Sequence, residues 1–404
     1  MKSRSAPITV LPGRDTWYEI DEDVLAWNFR NVREFLDRTN PDTRVAIAAV
    51  VKADAYGMGS IPVSRVFLSE GADLLAVACL SEAARLRRSF PDAPIMIMGY
   101  TPDRLLTAAA ELSITVTLFE ERQAALLSQW SERTGRTARV QIKLDTGMNR
   151  LGCDDGDEAV NMVACIARMP GILVDGLFSH LALESEASDE RQFSRLTRFA
   201  QRVGGRGVRF PSLHLCDSIG MVRYPDFHLD MVRPGAILYG APPLGPRTLT
   251  AIRIPFAFKT RIARIRTLAA GEGVGYDYSW RAPSVGAALA TLPVGYADGF
   301  RRAFSNRARV IIRGVAAPVV GLVCMDQCTV DVSSVPGVTV GDDVLLFGRS
   351  GDDEVLIGDV ATWAGTNRNE ILVGVGRRVP RVYRRGRAIR EIVDEMDAEA
   401  TGEL

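Results

Sequence analysis

Eight short apolar runs separated by amphipathic stretches occupy residues 17–253, and no other feature restricts the possible folds as much. The runs are Val45–Lys52, Leu74–Cys79, Pro94–Gly99, Ile114–Leu118, Val140–Leu144, Val174–His180, Ser212–Cys216 and Gly235–Tyr239. Between them Ser81–Ser89, Glu120–Trp130, Glu158–Met169 and Asp189–Val203 repeat apolar residues at intervals of three and four, and Asp23–Asp37 does so ahead of the first run. Strands alternating with helices define an α/β fold, and eight repeats over this length predict a (β/α)8 TIM-type barrel spanning 17–253 rather than an open sheet.

After Pro255 the texture changes to Val-, Ile- and Leu-rich strands with Gly, Asp-Asp and Pro turns: Lys259–Thr267, Gly286–Leu292, Arg309–Ile312, Val319–Val332 and Asp343–Phe347. These predict a C-terminal all-β domain over 254–387. Residues 1–16 read as an N-terminal arm associated with that domain, and 388–404 as a polar tail.

Charge and cysteine usage narrow the partners. Lys plus Arg and Asp plus Glu stand at 49 each, which leaves no global basic field for nucleic acid, although arginines cluster between Arg377 and Arg387. Six cysteines without a CxxC pair and three histidines give a metal site little to use. No apolar run reaches membrane-spanning length and Met1–Thr16 lacks a signal-like apolar core, so a reducing, cytoplasmic setting is expected.

In a barrel of this kind the chemistry sits at the C-terminal ends of the strands. Lys52 ends the first run, Lys143 lies near the end of the fifth, His180 ends the sixth, and Ser218 follows the seventh. A desolvated lysine there can lose its proton and attack a carbonyl, as a Schiff base with an aldehyde cofactor requires; a lysine snorkelling from a strand end is the alternative. A phosphate-bearing aldehyde also needs a phosphate cradle and a partner for its ring nitrogen. Tyr56 and Ser218 offer hydroxyls, Gly235 and Ala236 offer backbone N–H groups, and Arg233 offers a planar cation. Capping or core duty for the hydroxyls and a rim salt bridge for Arg233 are the alternatives. Gly235-Ala236 fits least well, because it opens the eighth run instead of following it.

The run Val50-Val51-Lys52-Ala53-Asp54-Ala55-Tyr56-Gly57 resembles the cofactor-lysine signature of the alanine racemases, barrel-type pyridoxal 5′-phosphate enzymes. The resemblance extends in order through Lys143–Gly152, Ser179-His180, Val232–Gly235, Gly275-Tyr276, Val294–Gly299, Val323–Gln327 and Arg378–Tyr383. It implies that Lys52 carries the cofactor, that Tyr56, Ser218, Gly235 and Ala236 hold its phosphate, and that Arg233 meets the ring nitrogen. It places Arg150 near the substrate carboxylate, with Lys143 as a possible carbamate that orients Arg150.

Racemisation needs a base on each face of Cα. The resemblance makes these Lys52 and Tyr276, the latter supplied by the β domain of a second subunit together with Met325 and Asp326. The expected assembly is a homodimer with composite sites acting on a small amino acid, with no nucleic acid and no membrane involved. A tyrosine ordinarily titrates near pH 10, so positive charge from His180 and Arg233 is expected beside it.

Two positions depart from the family pattern. Asn369 stands where a tyrosine narrows the substrate pocket, as in serine-racemising relatives, and Leu322 replaces an entrance arginine whose neighbours Tyr296 and Arg302 are retained. Alanine is the expected substrate, with serine or a broader range as the alternative. A barrel-type decarboxylase would place a carboxylate at the ring nitrogen and lack Gly275-Tyr276, and a cofactor-binding protein without catalysis would lack the β domain.

Overall fold

The computed structural model describes residues 13–241, 252–283 and 287–396, which fall into two compact units. One comprises residues 26–55 and 60–252; the other gathers 13–25, 56–59 and the chain from 253 onward.

The first unit is a closed parallel barrel of eight strands: Ala46–Val50, Leu74–Val77, Ile95–Ile97, Thr115–Leu118, Ala138–Lys143, Ile172–Phe178, Leu213–His214 and Met231–Val232. The last pairs back onto the first through Ala46↔Met231 and Ile47↔Val232. Helices including Leu80–Ser89, Glu121–Thr134, Asp157–Ile166 and Glu186–Gly204 alternate with the strands. Their buried stripes, such as Leu196, Phe199 and Val203, exclude water from the strands' outer faces.

The eighth strand corrects the sequence reading. It lies at Met231–Val232, and the run assigned to it instead forms a tight 3₁₀ turn over Ala236–Tyr239. Gly235, at φ −125° and ψ −93°, breaks the extended conformation, and Tyr239 donates its hydroxyl to Val50 O. Arg233, Gly235 and Ala236 therefore follow the strand, which removes the misfit with the barrel rule.

The second unit is built on an eight-stranded sheet ordered Val315–Pro318, Arg309–Ile312, Asp343–Ser350, Phe256–Arg261, Thr16–Asp21, Arg381–Arg385 and Ala388–Val393, with Asp353–Val355 paired to Asp343–Ser350. Thr16–Asp21 pairs antiparallel with Phe256–Arg261 and parallel with Arg381–Arg385, so residues read as the start of the barrel domain form a central strand here. Ala388–Val393, expected as tail, is an edge strand on Arg381–Arg385. The β architecture also carries two short helices, Ile357–Ala364 and Arg368–Val373. Residues 1–12 of the expected arm and 397–404 of the expected tail lie outside the described residues.

Candidate active site

Lys52 leaves the first barrel strand where Ala53, Asp54, Ala55 and Tyr56 all take left-handed backbone angles, with φ of 53–55°. Four consecutive non-glycine residues in that region cost about 1–2 kcal/mol each. The turn is held from outside: Glu82 accepts the Ala53 N–H at 2.8 Å and the Ala78 N–H at 2.8 Å, and Asp54 accepts the Ser60 N–H at 2.7 Å. Glu82 thus ties the ends of two neighbouring strands and fixes the chain immediately after Lys52. In the sequence it reads only as a first-turn acid of the helix Leu80–Ser89.

The Lys52 side chain stays accessible. Partial burial at the barrel mouth holds its amine below the ordinary lysine range, reinforced by Arg150 and Arg233 and opposed by Glu82 and Asp217. Lys143 is buried at 7% exposure, with its ammonium 4.4 Å from the Phe178 ring centre. Burial, then Arg233 and Arg150, depress it strongly. A small pocket lies beside it, lined by Asp145, Arg150, Ser179 and His180 among others. Burial acts to raise Asp145, but N–H donors from Gly147, Asn149, Arg150 and Met148 outweigh it and leave the carboxyl below its ordinary value. Those bonds shape the loop that carries Arg150.

Arg233 is 3% exposed in the barrel interior. Nη2 donates to Ser179 O and Leu215 O at 2.8 Å each and to His180 Nδ1 at 3.2 Å; Nη1 donates to His214 Nδ1 at 2.6 Å. An arginine only donates, so these bonds force the tautomers. His214 carries its proton on Nε2 and gives it to Gln141 Oε1 at 2.5 Å, while its ring stacks 4.8 Å from Phe178. Burial lowers Arg233 to about 10, which leaves it protonated at neutral pH.

His180 was expected to lend positive charge to a tyrosine base. Burial, then the charges of Arg233 and Lys143, push it down to about 2, so it is neutral. Any cationic influence must come from the arginines and lysines around it.

The donor set fits a phosphorylated aldehyde with an acceptor ring nitrogen. Ser218 Oγ accepts the N–H groups of Gly235 at 2.9 Å and Ile237 at 3.3 Å, which commits its oxygen lone pairs and turns its hydroxyl hydrogen toward an acceptor. The Ala236 N–H and the Arg233 Nε–H have no partner among the described residues. Lys52 supplies the amine. The geometry thus offers an attachment point, a ring-nitrogen donor and two phosphate donors.

The remaining expected residues belong to the second unit. Tyr276 is 65% exposed at the tip of a short ribbon formed by Gly273–Val274 and Trp280–Arg281. Tyr296 N–H donates to Cys324 O and Ala297 N–H to Met325 O, both at 3.0 Å, which sets Tyr296 beside the Met325-Asp326 segment. Asn369 is exposed in the helix Arg368–Val373, and Leu322 backbone atoms lie 3.9 Å from where a side chain on Gly275 would begin. Tyr56 ends the left-handed turn and is buried.

Residues 20–243 match the model of the alanine racemase N-terminal domain, and 256–383 that of the alanine racemase C-terminal domain. Alanine racemase 1 of Clostridium acetobutylicum is 37% identical over 92% of this chain and 95% of its own length. The alanine racemase of Clostridium difficile superposes with a TM-score of 0.88 at 31% identity, covering 96% of this chain and 99% of that one. That of Bartonella henselae, solved with covalently bound pyridoxal phosphate, gives a TM-score of 0.80 at 26% identity over 92% of this chain and 99% of that one. With both halves matched and the barrel mouth furnished for the cofactor, the chain belongs to the alanine racemase family, whose members use pyridoxal 5′-phosphate to interconvert L- and D-alanine.

Proposed function

We propose that the chain racemises alanine by moving a proton between two faces of Cα, with Lys52 serving one face and Tyr276 of a second subunit the other. The observation that carries this reading is the accessible Lys52 amine at the barrel mouth, held below the ordinary lysine range by partial burial and by the charges of Arg150 and Arg233. Pyridoxal 5′-phosphate, when bound, supplies an aldehyde for the amino group and a conjugated ring that acidifies Cα. Arg233 donates to the ring nitrogen without protonating it, which keeps the electron sink moderate and disfavours loss of CO2 or of the amino group. Ser218 and Ala236 would hold the phosphate with Tyr56, while the Gly235 N–H, expected as a further donor, is given to Ser218 Oγ and orients that hydroxyl. Arg150 and, from the second subunit, the Met325 N–H, which has no partner among the described residues, seat the substrate carboxylate. A carbamate on Lys143 would occupy the adjoining pocket and replace a buried cation by an anion facing Arg150.

This assignment makes a homodimer the active unit and a small amino acid the substrate. Among the described residues no helix is long and apolar enough to cross a membrane. A racemisation screen over amino acids with added pyridoxal phosphate, followed by chiral chromatography, tests the reading; release of CO2 with no D-alanine formed from L-alanine would overturn it.

Glu82→Gln keeps one of the two acceptor oxygens that clamp the turn and removes a charge that favours the charged form of Lys52. Arg150 and Arg233 still lower that amine, and Asp217 alone remains to raise it. The acid limb of kcat, which reports the substrate complex in which the Lys52 amine is released, should therefore move to lower pH. A purely structural role would lower Tm and leave the limb in place.

Asn369 bears on substrate choice, because a carboxamide in place of a phenol leaves room and offers both a donor and an acceptor. Asn369→Tyr is expected to raise the ratio of kcat/KM for L-alanine over L-serine by roughly 10-fold, since one hydroxyl in a pocket is worth about 1–3 kcal/mol. An unchanged ratio would remove Asn369 from the pocket.

A further inference from the structure

One carboxylate behind the exposed Tyr296 and Met325 does more than fill the core. Asp298 is fully buried and accepts from both Arg14 Nη1 and Arg378 Nε on a single oxygen, each at 2.7 Å, while its other oxygen accepts the Gly295 N–H at 2.9 Å. Arg14 also donates to Pro293 O, and the Gly376 N–H donates to Asp298 O. The same Arg378 reaches outward: Nη2 donates to Asp326 Oδ1 at 2.7 Å and lies 3.5 Å from Met325 O. Asp326 is accessible, and Met325 is 53% exposed. The planar guanidinium thus joins a buried acid to an exposed one through different nitrogens, a span that an ammonium point charge cannot reproduce.

We propose that Asp298 and Arg378 are positioning residues that hold Asp326 and the Met325 backbone in the geometry that receives the substrate carboxylate. The inference rests on the placement of that segment at the substrate. Two arginines balance two carboxylates in the network, and its outward arm ends on the exposed Asp326. The two turns pack backbone to backbone at Gly295, where a Cβ would stand 2.3 Å from Cys324 O and 2.4 Å from Met325 O. The Tyr296 turn and the Met325 turn therefore move together or not at all, and Asp298 pins one while Arg378 pins the other.

The test uses the intact holoenzyme with Arg378→Lys, Asp326→Asn and the double variant. KM for alanine and Ki for propionate, which keeps the carboxylate and lacks the amine, are measured beside kcat and Tm. Arg378→Lys keeps the charge that Asp298 needs and loses the second arm. It is expected to raise KM and Ki together by about tenfold, the loss of one charge-assisted hydrogen bond, with kcat nearly unchanged. Asp326→Asn should act likewise, and the double variant should be no worse than the poorer single. Arg378→Gln, which removes the charge, serves if the lysine variant folds badly and should raise KM at least as much. A fall in Tm with KM and Ki unchanged, or single effects that multiply in the double variant, would overturn the inference. If Asp326→Asn itself leaves KM and Ki alone, the placement of that segment at the substrate fails; if only the Arg378 variants leave them alone, the positioning role fails by itself.

Discussion

Replacing Lys52 by alanine is expected to lower alanine racemisation by about 10⁴-fold or more, because one residue supplies both the cofactor's anchor and a proton-transfer group. The side chain is accessible and makes no hydrogen bond among the described residues, so its removal should leave Tm close to that of the parent. Mass spectrometry after borohydride treatment should find cofactor mass on the peptide containing residue 52 in the parent and none in the variant. The phosphate seat proposed at Ser218 and Ala236 follows the seventh and eighth strands, away from the Lys52 turn, and should still bind pyridoxal phosphate reversibly. A small primary amine such as methylamine should then restore part of the rate by substituting for the missing group. Activity within tenfold of the parent would remove Lys52 from the chemistry.

The barrel was legible because each strand must bury both faces, and that requirement writes apolar runs at a readable spacing. The eighth strand was misplaced for the same reason. Ala236-Ile237-Leu238-Tyr239 is as apolar as any strand, but its burial is reached in a 3₁₀ turn, while the true strand is only Met231–Val232. Thr16–Asp21 could not be assigned from local pattern, since its partners lie about 240 residues onward at Phe256–Arg261 and farther still at Arg381–Arg385. At the site, motif positions such as Lys52 and Arg233 could be named, but the physics around them could not. The left-handed course of Ala53-Asp54-Ala55-Tyr56 carries no glycine to announce it, and the Glu82 clamp depends on a tertiary approach. The neutrality of His180 follows first from its burial and then from the surrounding charges of Arg233, Lys143, Arg150 and Lys52, which only the folded chain assembles. Asp298 sits inside the Val294–Gly299 motif, yet its partners Arg14 and Arg378 come from opposite ends of the chain.

Tyr276→Phe should keep the cofactor and lose racemisation by roughly 10²- to 10⁴-fold, the usual range for one acid–base group. The ribbon that presents the phenol turns through positive φ at Gly275 (66°), Asp277 (58°) and Tyr278 (44°), and a phenylalanine ring occupies the same place in that turn. Only the O–H is withdrawn. With Lys52 still in place, one alanine enantiomer should exchange its Cα hydrogen with D2O without inverting, and the other should exchange slowly. Equal loss of exchange for both enantiomers would sink the two-base assignment. The source of the tyrosine is tested by mixing subunits. In a hybrid of Lys52→Ala and Tyr276→Phe chains, one composite site holds both native groups and the other holds neither. Random reassortment makes half the dimers hybrids with one working site of two, so the mixture should recover about a quarter of the parent activity. If both groups came from one chain, every site in the mixture would lack one of them, and reassorted dimers would stay as inactive as the separate variants.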